Sequence, residues 1–465
     1  MLQMKIIIYS LFIISCALAS ENVLDKYVKI GLESNLALKQ QRYSYEQTTQ
    51  ALKEARGMFF PSLTFLSRYT RAGGGRTIEF PVGDLVNPVY ETLNEILEAI
   101  GQDPKPFPVV PNQTIPFLRA EEQETKLRLI QPLFQPAIYY NHALKSNLVD
   151  IEALETTIYK RELIKEIKIS YFNYLRAYYV IDLFNETELL LKENLRVSEK
   201  LFSAQKVTRD AIYRSDAELS KIEQQLLEAK NNLDLSRSYL NFLLNRPLTE
   251  DIEIDETILK IENYNFPFDT AYTYALNYRE EIVQMETGLE AADNSRKIKK
   301  SEYFPGVSVV ADYGFQGPKY QFYEDDAYWM ASMVFEWNLF RGLQDQAKIE
   351  QAALEMRKIQ VKLQELKMQL ELQVRAVYNR FMLSQKKIEV ANKLAFSSEK
   401  SYEIVNKKYN EGMAAMVEFL DARNIMTNSQ INRILANYDY HASFAELERV
   451  TSYYKLNDME ENHED

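Results

Sequence analysis

Few residues in this chain could carry bond chemistry. The three histidines, His142, His441 and His463, stand far apart and in no metal-ligand spacing. The single cysteine, Cys16, excludes a disulfide framework and a cysteine-based zinc cluster. No G-x-G-x-x-G turn occurs, and no phosphate loop ends in Gly-Lys-Ser or Gly-Lys-Thr. The expectation is a chain that is not an enzyme, with no cofactor and no metal. With Lys+Arg 55 against Asp+Glu 67, the net charge of -12 repels phosphate, so no nucleic-acid partner is expected. Only Gly 13 and Pro 14 punctuate 465 residues. So few turn formers imply few, long elements, which counts against a Rossmann fold or a barrel of eight βα units.

The N-terminus reads as an export segment. Lys5 precedes an apolar run from Ile6 to Ser15, and Ala17-x-Ala19 suits a cut before Ser20, so residues 1–19 form a signal peptide. Cleavage removes Lys5 alone among the charges. The alternative is lipid attachment at Cys16, since Ile13-Ile14-Ser15-Cys16 is an imperfect lipobox. No later segment reaches ~18 uninterrupted apolar residues, so a membrane-spanning part would have to be a β-barrel.

Two halves share one plan. Residues 20–247 read as helix (Asn22 to Gly57), strand (Ser62 to Thr70), strand (Thr125 to Phe134), long helix (Pro136 to about Lys206) and helix (Ala211 to Leu244). A linker, 248–268, leads to the second round, 269–450: helix (Asp269 to Glu302), strands Val307 to Phe315 and Tyr328 to Trp337, long helix (Leu343 to Tyr409) and helix (Ala414 to Val450). A polar tail, 451–465, follows. Phe60-Pro61 and Phe304-Pro305 stand 244 positions apart, whereas Leu133-Phe134 and Leu339-Phe340 stand 206 apart. The difference is an insertion at 71–124, holding a short helix (Val89 to Ile100) and a proline-rich run. Such a repeat is hard to obtain by chance.

Each strand is about 9–10 residues long and alternates apolar with polar positions, the pattern and span of a tilted transmembrane strand. Leu63, Phe65 and Tyr69 share a face, as do Trp329, Met333 and Phe335, while Arg68, Thr70, Asp312 and Gln316 point the other way. Four strands cannot close a barrel, and an open edge in lipid leaves backbone groups unpaired at several kcal/mol each. The barrel must therefore be shared between chains. The bland alternative is a soluble hairpin packed on helices. Helical stretches of 60–70 residues far exceed the globular mean of ~11–12 and imply coiled coils or helical barrels. Seventy residues at ~1.5 Å each extend about 105 Å.

These features together resemble the TolC family of outer-membrane efflux proteins. The resemblance rests on Ala55-Arg56 with Phe60-Pro61-Ser62-Leu63, on Phe304-Pro305-Gly306-Val307, and on Gln131-Pro132-Leu133-Phe134 with Trp337-Asn338-Leu339-Phe340-Arg341-Gly342. It closes on Tyr409-x-x-Gly412, Glu418-x-x-Asp421-Ala422, Tyr438 and Leu447-Glu448. It implies a mainly α chain with transmembrane β: a homotrimeric 12-stranded barrel, four strands per chain, continuous with a periplasmic α-helical barrel. It implies the outer membrane of a diderm bacterium, contact with its lipid, a periplasmic adaptor and an inner-membrane transporter. The expected role is the exit duct of a tripartite efflux pump. The alternatives are the duct of a type I secretion system and, further off, a periplasmic coiled-coil scaffold or adaptor.

The resemblance also implies site residues. Helix-tip turns that meet the adaptor correspond to Arg209 and Asp210 on one hairpin and Tyr409 and Gly412 on the other. Past the second tip, Glu418 and Asp421 correspond to pore-facing acids. Three copies of each would make carboxylate rings that favour cations and resist closing. The first tip has Val207-Thr208-Arg209 where the family has glycine, which predicts a different turn there. The basic residue that latches better-known members is here Ala414, leaving Lys206, Arg209, Lys407 or Lys408 as substitutes. Pro61, Pro305 and Gly342 are expected to mark the strand–helix junctions.

Overall fold

The computed structural model describes residues 22–255 and 267–453. The signal peptide, Cys16, most of the linker and nearly all of the tail, with His463, lie outside the described residues. The element order is α1 (Val23–Ser34), α2 (Leu36–Gly57), β1 (Ser62–Arg71), β2 (Thr77–Phe80), α3 (Val82–Ala99), β3 (Gln113–Pro116), β4 (Glu121–Phe134), α4 (Pro136–Ser203) and α5 (Arg209–Leu243). It continues with α6 (Phe268–Tyr278), α7 (Glu280–Ser301), β5 (Gly306–Gly317), β6 (Ala327–Glu336), α8 (Gln344–Asn410) and α9 (Met416–Thr451).

The expected single helices at the start of each half are each two. α1 and α2 part at Asn35, which is extended at φ -60°, ψ 125°. α6 and α7 part at Arg279, at φ -71°, ψ 119°. These breaks also stand 244 positions apart, so they belong to the repeat. Neither is a proline or glycine, which is why the sequence pattern runs through them. Tertiary bonds hold them. Asn35 donates from Nδ2 to the Leu243 carbonyl at 2.9 Å and accepts from the Leu38 N–H at 3.0 Å. Arg279 donates to the Val450 carbonyl at 3.0 Å and to Glu281 at 2.7 and 2.8 Å.

The described residues form two spatial units, each taking pieces of both halves: 22–50, 145–255, 267–292 and 354–453 in one, 51–144 and 293–353 in the other. The first unit is helical. Its largest core gathers Ile164, Ile167, Tyr171 and Leu175 of α4 with Tyr27 and Val28 of α1 and Leu240 of α5. A second gathers Val374, Val377 and Phe381 of α8 with Ala271 and Ala275 of α6 and Tyr440 of α9. The long helices, α4 with 68 residues and α8 with 67, contain no interior proline or glycine. Among the described residues no helix is long and apolar enough to cross a membrane.

The second unit holds an antiparallel sheet of order β1-β4-β5-β6. The β4–β5 pairing joins the two halves at its centre and leaves β1 and β6 as edges. β4 begins four residues before the expected start. Pro132, with no N–H to give the ladder, sits where the β4–β5 register shifts. The insertion holds more than the expected helix: β2 and β3 form a two-stranded ribbon, and α3 starts at Val82.

Candidate functional site

The two helix hairpins turn in the same way. At the α8–α9 tip Gly412 takes φ +75°, its N–H donates to the Tyr409 carbonyl at 3.0 Å, and the Met413 N–H donates to Lys408 at 2.7 Å. At the α4–α5 tip Gln205 takes φ +59°, its N–H donates to Phe202 at 2.9 Å, and the Lys206 N–H donates to Leu201 at 2.9 Å. This is one helix-ending motif used twice. The different geometry expected at Val207-Thr208-Arg209 is therefore not found: the left-handed residue lies two positions earlier and is a glutamine. Such a residue costs about 1–2 kcal/mol relative to right-handed backbone. The next helices start from Thr208 and Ala415, both extended and without a side-chain cap.

Tyr409 belongs to the interior of its tip. Its ring stacks on Phe419 at 4.8 Å, Tyr402 lies 5.9 Å from the same ring, and Leu420 completes the cluster. It packs the turn and presents little surface. Arg209 and Asp210 are exposed; Arg209 lies 5.6 Å from the Tyr213 ring centroid, and Asp210 pairs with Arg214 at 2.8 Å.

Glu418 lies in the first turn of α9, where the helix dipole favours an anion. Asp421 follows one turn later on the same face. Both are exposed, while Phe419 and Leu420 between them and Ala422 after them are buried. Among the described residues neither carboxylate has an ion pair. None of Lys206, Arg209, Lys407 and Lys408 reaches them, so no latch from these four forms within one chain.

The tip region holds a charge that sequence reasoning missed. Arg423, only 1% exposed, lies two residues past Asp421. It donates to Glu218 of α5 at 2.7 Å and to Asn424 Oδ1 at 2.7 Å, while its Nε and other terminal nitrogen have no protein partner. Burial lowers its proton affinity and Glu218 works against that. The available sign was its place in the buried stripe of Phe419, Met426 and Thr427, which the carboxylate pattern beside it drew attention away from.

The strand–helix junctions repeat closely. Before Pro61, the N–H groups of Met58, Phe59 and Phe60 each bond three residues back; before Pro305, those of Glu302, Tyr303 and Phe304 do the same. At the other junction Gly342 and Leu343 take φ +59° and +65° between β6 and α8.

The sheet separates its faces as the alternation demands. One row across it is Phe65, Leu127, Tyr313 and Trp329, all exposed, with Trp329 at 77%. On the opposite face Asp312 is held by Arg128 at 2.8 Å through both carboxylate oxygens and by Lys126 at 3.3 Å. Lys126 also bonds Glu124, which takes Arg68 at 3.2 Å and the Tyr328 hydroxyl at 3.0 Å. One face suits an apolar solvent and the other suits water.

Residues 271–452 match the family model described as outer membrane efflux protein. Over 334 residues the chain is 23% identical to the alkaline protease secretion protein AprF of Pseudomonas aeruginosa, spanning 69% of this chain and 68% of that protein. The fold superposes on the CmeC outer membrane channel of Campylobacter jejuni with a TM-score of 0.76 at 16% identity, covering 95% of this chain and 88% of that one. It also superposes on the open state of the MtrE outer membrane channel of Neisseria gonorrhoeae, with a TM-score of 0.69 at 16% identity over 92% and 88% of the two chains.

Proposed function

We infer that this chain, whose residues 271–452 match the family model described as outer membrane efflux protein, is the outer-membrane exit duct of a tripartite efflux system. The observation that carries the reading is the sheet: an exposed aromatic and aliphatic face, a charged opposite face, and two edges with nothing to pair. In hydrocarbon those edges must be closed, and joining β1 of one copy to β6 of the next does so. Three copies supply twelve strands, wide enough for a water-filled lumen. The chain moves solutes and makes or breaks no bond. Energy comes from an inner-membrane transporter, and a periplasmic adaptor engages the surface around Arg209 and Asp210.

At the tips Glu418 and Asp421 face the axis. Their exposure, lack of internal partners and one-turn spacing support this, because stacked rings of ionised carboxylates draw cations and repel one another when the bundle narrows. A second reading, the exit duct of a protein secretion system, is favoured by the similarity to AprF, whose name places it in protease secretion.

The test is planar-bilayer conductance of the detergent-extracted protein, with its mass measured in parallel. A trimer with small, cation-selective currents is expected, and Glu418→Gln with Asp421→Asn should reduce that selectivity and enlarge the current. A monomer that stays in solution without detergent and conducts nothing overturns the reading.

A further inference from the structure

The insertion between β1 and β4 carries an unpartnered apolar face. Leu85, Val89, Leu93 and Ile96 of α3, with Ile100 at its end, are 42–70% exposed. At 100° per residue all five fall within an arc of about 80°. The steps from Val89 to Leu93, Ile96 and Ile100 are four, three and four, the spacing of a coiled-coil seam.

A different face of α3 is already occupied. Asn87 exchanges two bonds of 2.9 Å with the Val110 backbone, Asn94 clamps the Lys105 backbone at 2.9 and 3.1 Å, and Tyr90 stacks on Phe107 at 4.5 Å. The return segment therefore holds the helix firmly and leaves the seam open. The third face is acidic: Asp84, Glu91, Glu95 and Glu98 are the only charges of α3.

We propose that the open face of α3 is a homotypic contact, in which the α3 helices of neighbouring copies pack seam to seam at the outer mouth of the barrel. This rests on the trimeric channel reading above. Three observations favour a second copy of this chain over lipid. A helix lying on an anionic membrane surface carries lysine and arginine beside its apolar face, and α3 carries neither. The insertion leaves the sheet from the end of β1, the edge at which the next copy must join. A three-fold axis then lets the same face of every copy converge on it, as the apolar seams of a trimeric coiled coil do.

The experiment places single cysteines on the purified full-length protein, Leu93→Cys or Ile96→Cys on the seam and Glu91→Cys on the acidic face, and oxidises each. Native mass spectrometry on the same samples reports the trimer independently. Cross-linked pairs of chains at Leu93→Cys and Ile96→Cys, at least tenfold above Glu91→Cys, are the expected result. An intact trimer with no cross-linking excess on the seam overturns the α3 contact and leaves the channel standing. An environment-sensitive fluorophore on Ile96→Cys that shifts to the blue only when lipopolysaccharide vesicles are added assigns the face to lipid and also overturns it. If no trimer forms, the channel reading and the inference built on it fall together.

Discussion

At the residue scale, two titratable groups in the helical unit have shifted proton affinities, one through burial and one through ion pairs, and acid should act on them in order. His441 is half-buried against Phe172, with ring centroids 5.2 Å apart, and the loss of solvent pushes its pKa down to about 4. The unfolded chain binds that proton near pH 6.5 and the folded one does not, so stability falls as pH drops from about 6.5 to about 4, by about 3 kcal/mol. Burial would raise the Glu281 carboxyl, but Arg279 and Arg449 outweigh it and hold it at about 2. Its contribution is present at neutral pH and lost as pH falls from about 4.5 toward 2, again by about 3 kcal/mol. Thermal melts across pH should show both losses, His441→Gln flattening the upper window and Glu281→Gln the lower. Arg423 makes a different prediction. Glu218→Gln strands a buried guanidinium and should cost about 3 kcal/mol, while Arg423→Met with Glu218→Gln should recover most of it. Equal destabilisation in the single and double variants counts against the pair.

At the element scale, the two tips use one turn with different residues. Gln205 bears the left-handed backbone that Gly412 bears without strain. Gln205→Gly should therefore raise stability by up to about 1 kcal/mol, and Gly412→Ala should lower it by about 1–2 kcal/mol. Chemical denaturation of the two variants checks the sign, and a loss in both means the Gln205 side chain makes a contact that outweighs its backbone cost. The breaks at Asn35 and Arg279 follow the same logic of one geometry with unlike residues. One is held by an amide and the other by a guanidinium, each bonding to the end of a packed helix.

At the scale of the whole molecule, the proposed channel places the exposed apolar face of the sheet against lipid. Met333 is 72% exposed on that face, in register with Val309 and Gln131. Met333→Arg should cost about 2–4 kcal/mol at mid-membrane depth and reduce assembly into the outer membrane. Ser332→Arg, one residue away and on the opposite face, should be tolerated. Membrane fractionation of both variants decides it, and equal tolerance removes the lipid-facing assignment.

Periodicity in the sequence determined the kind and order of the elements. An alternation of two marks the four long strands, runs free of proline and glycine mark α4, α5, α8 and α9, and duplicated Phe-Pro pairs mark the repeat. These are local patterns, so they are legible without knowing what each element touches. The pore-facing role proposed for Glu418 and Asp421 rests on the resemblance, since two exposed carboxylates one turn apart have no distinctive sequence pattern. Tertiary structure alone decided the rest. Asn35 and Arg279 break helices because distant carbonyls reward the break, Gln205 takes a left-handed backbone that its residue type does not announce, and Arg423 is buried because α5 brings Glu218 to it. Asn35, Arg279 and Arg423 each depend on a partner far away in the chain, and no pattern within a few residues carries that information.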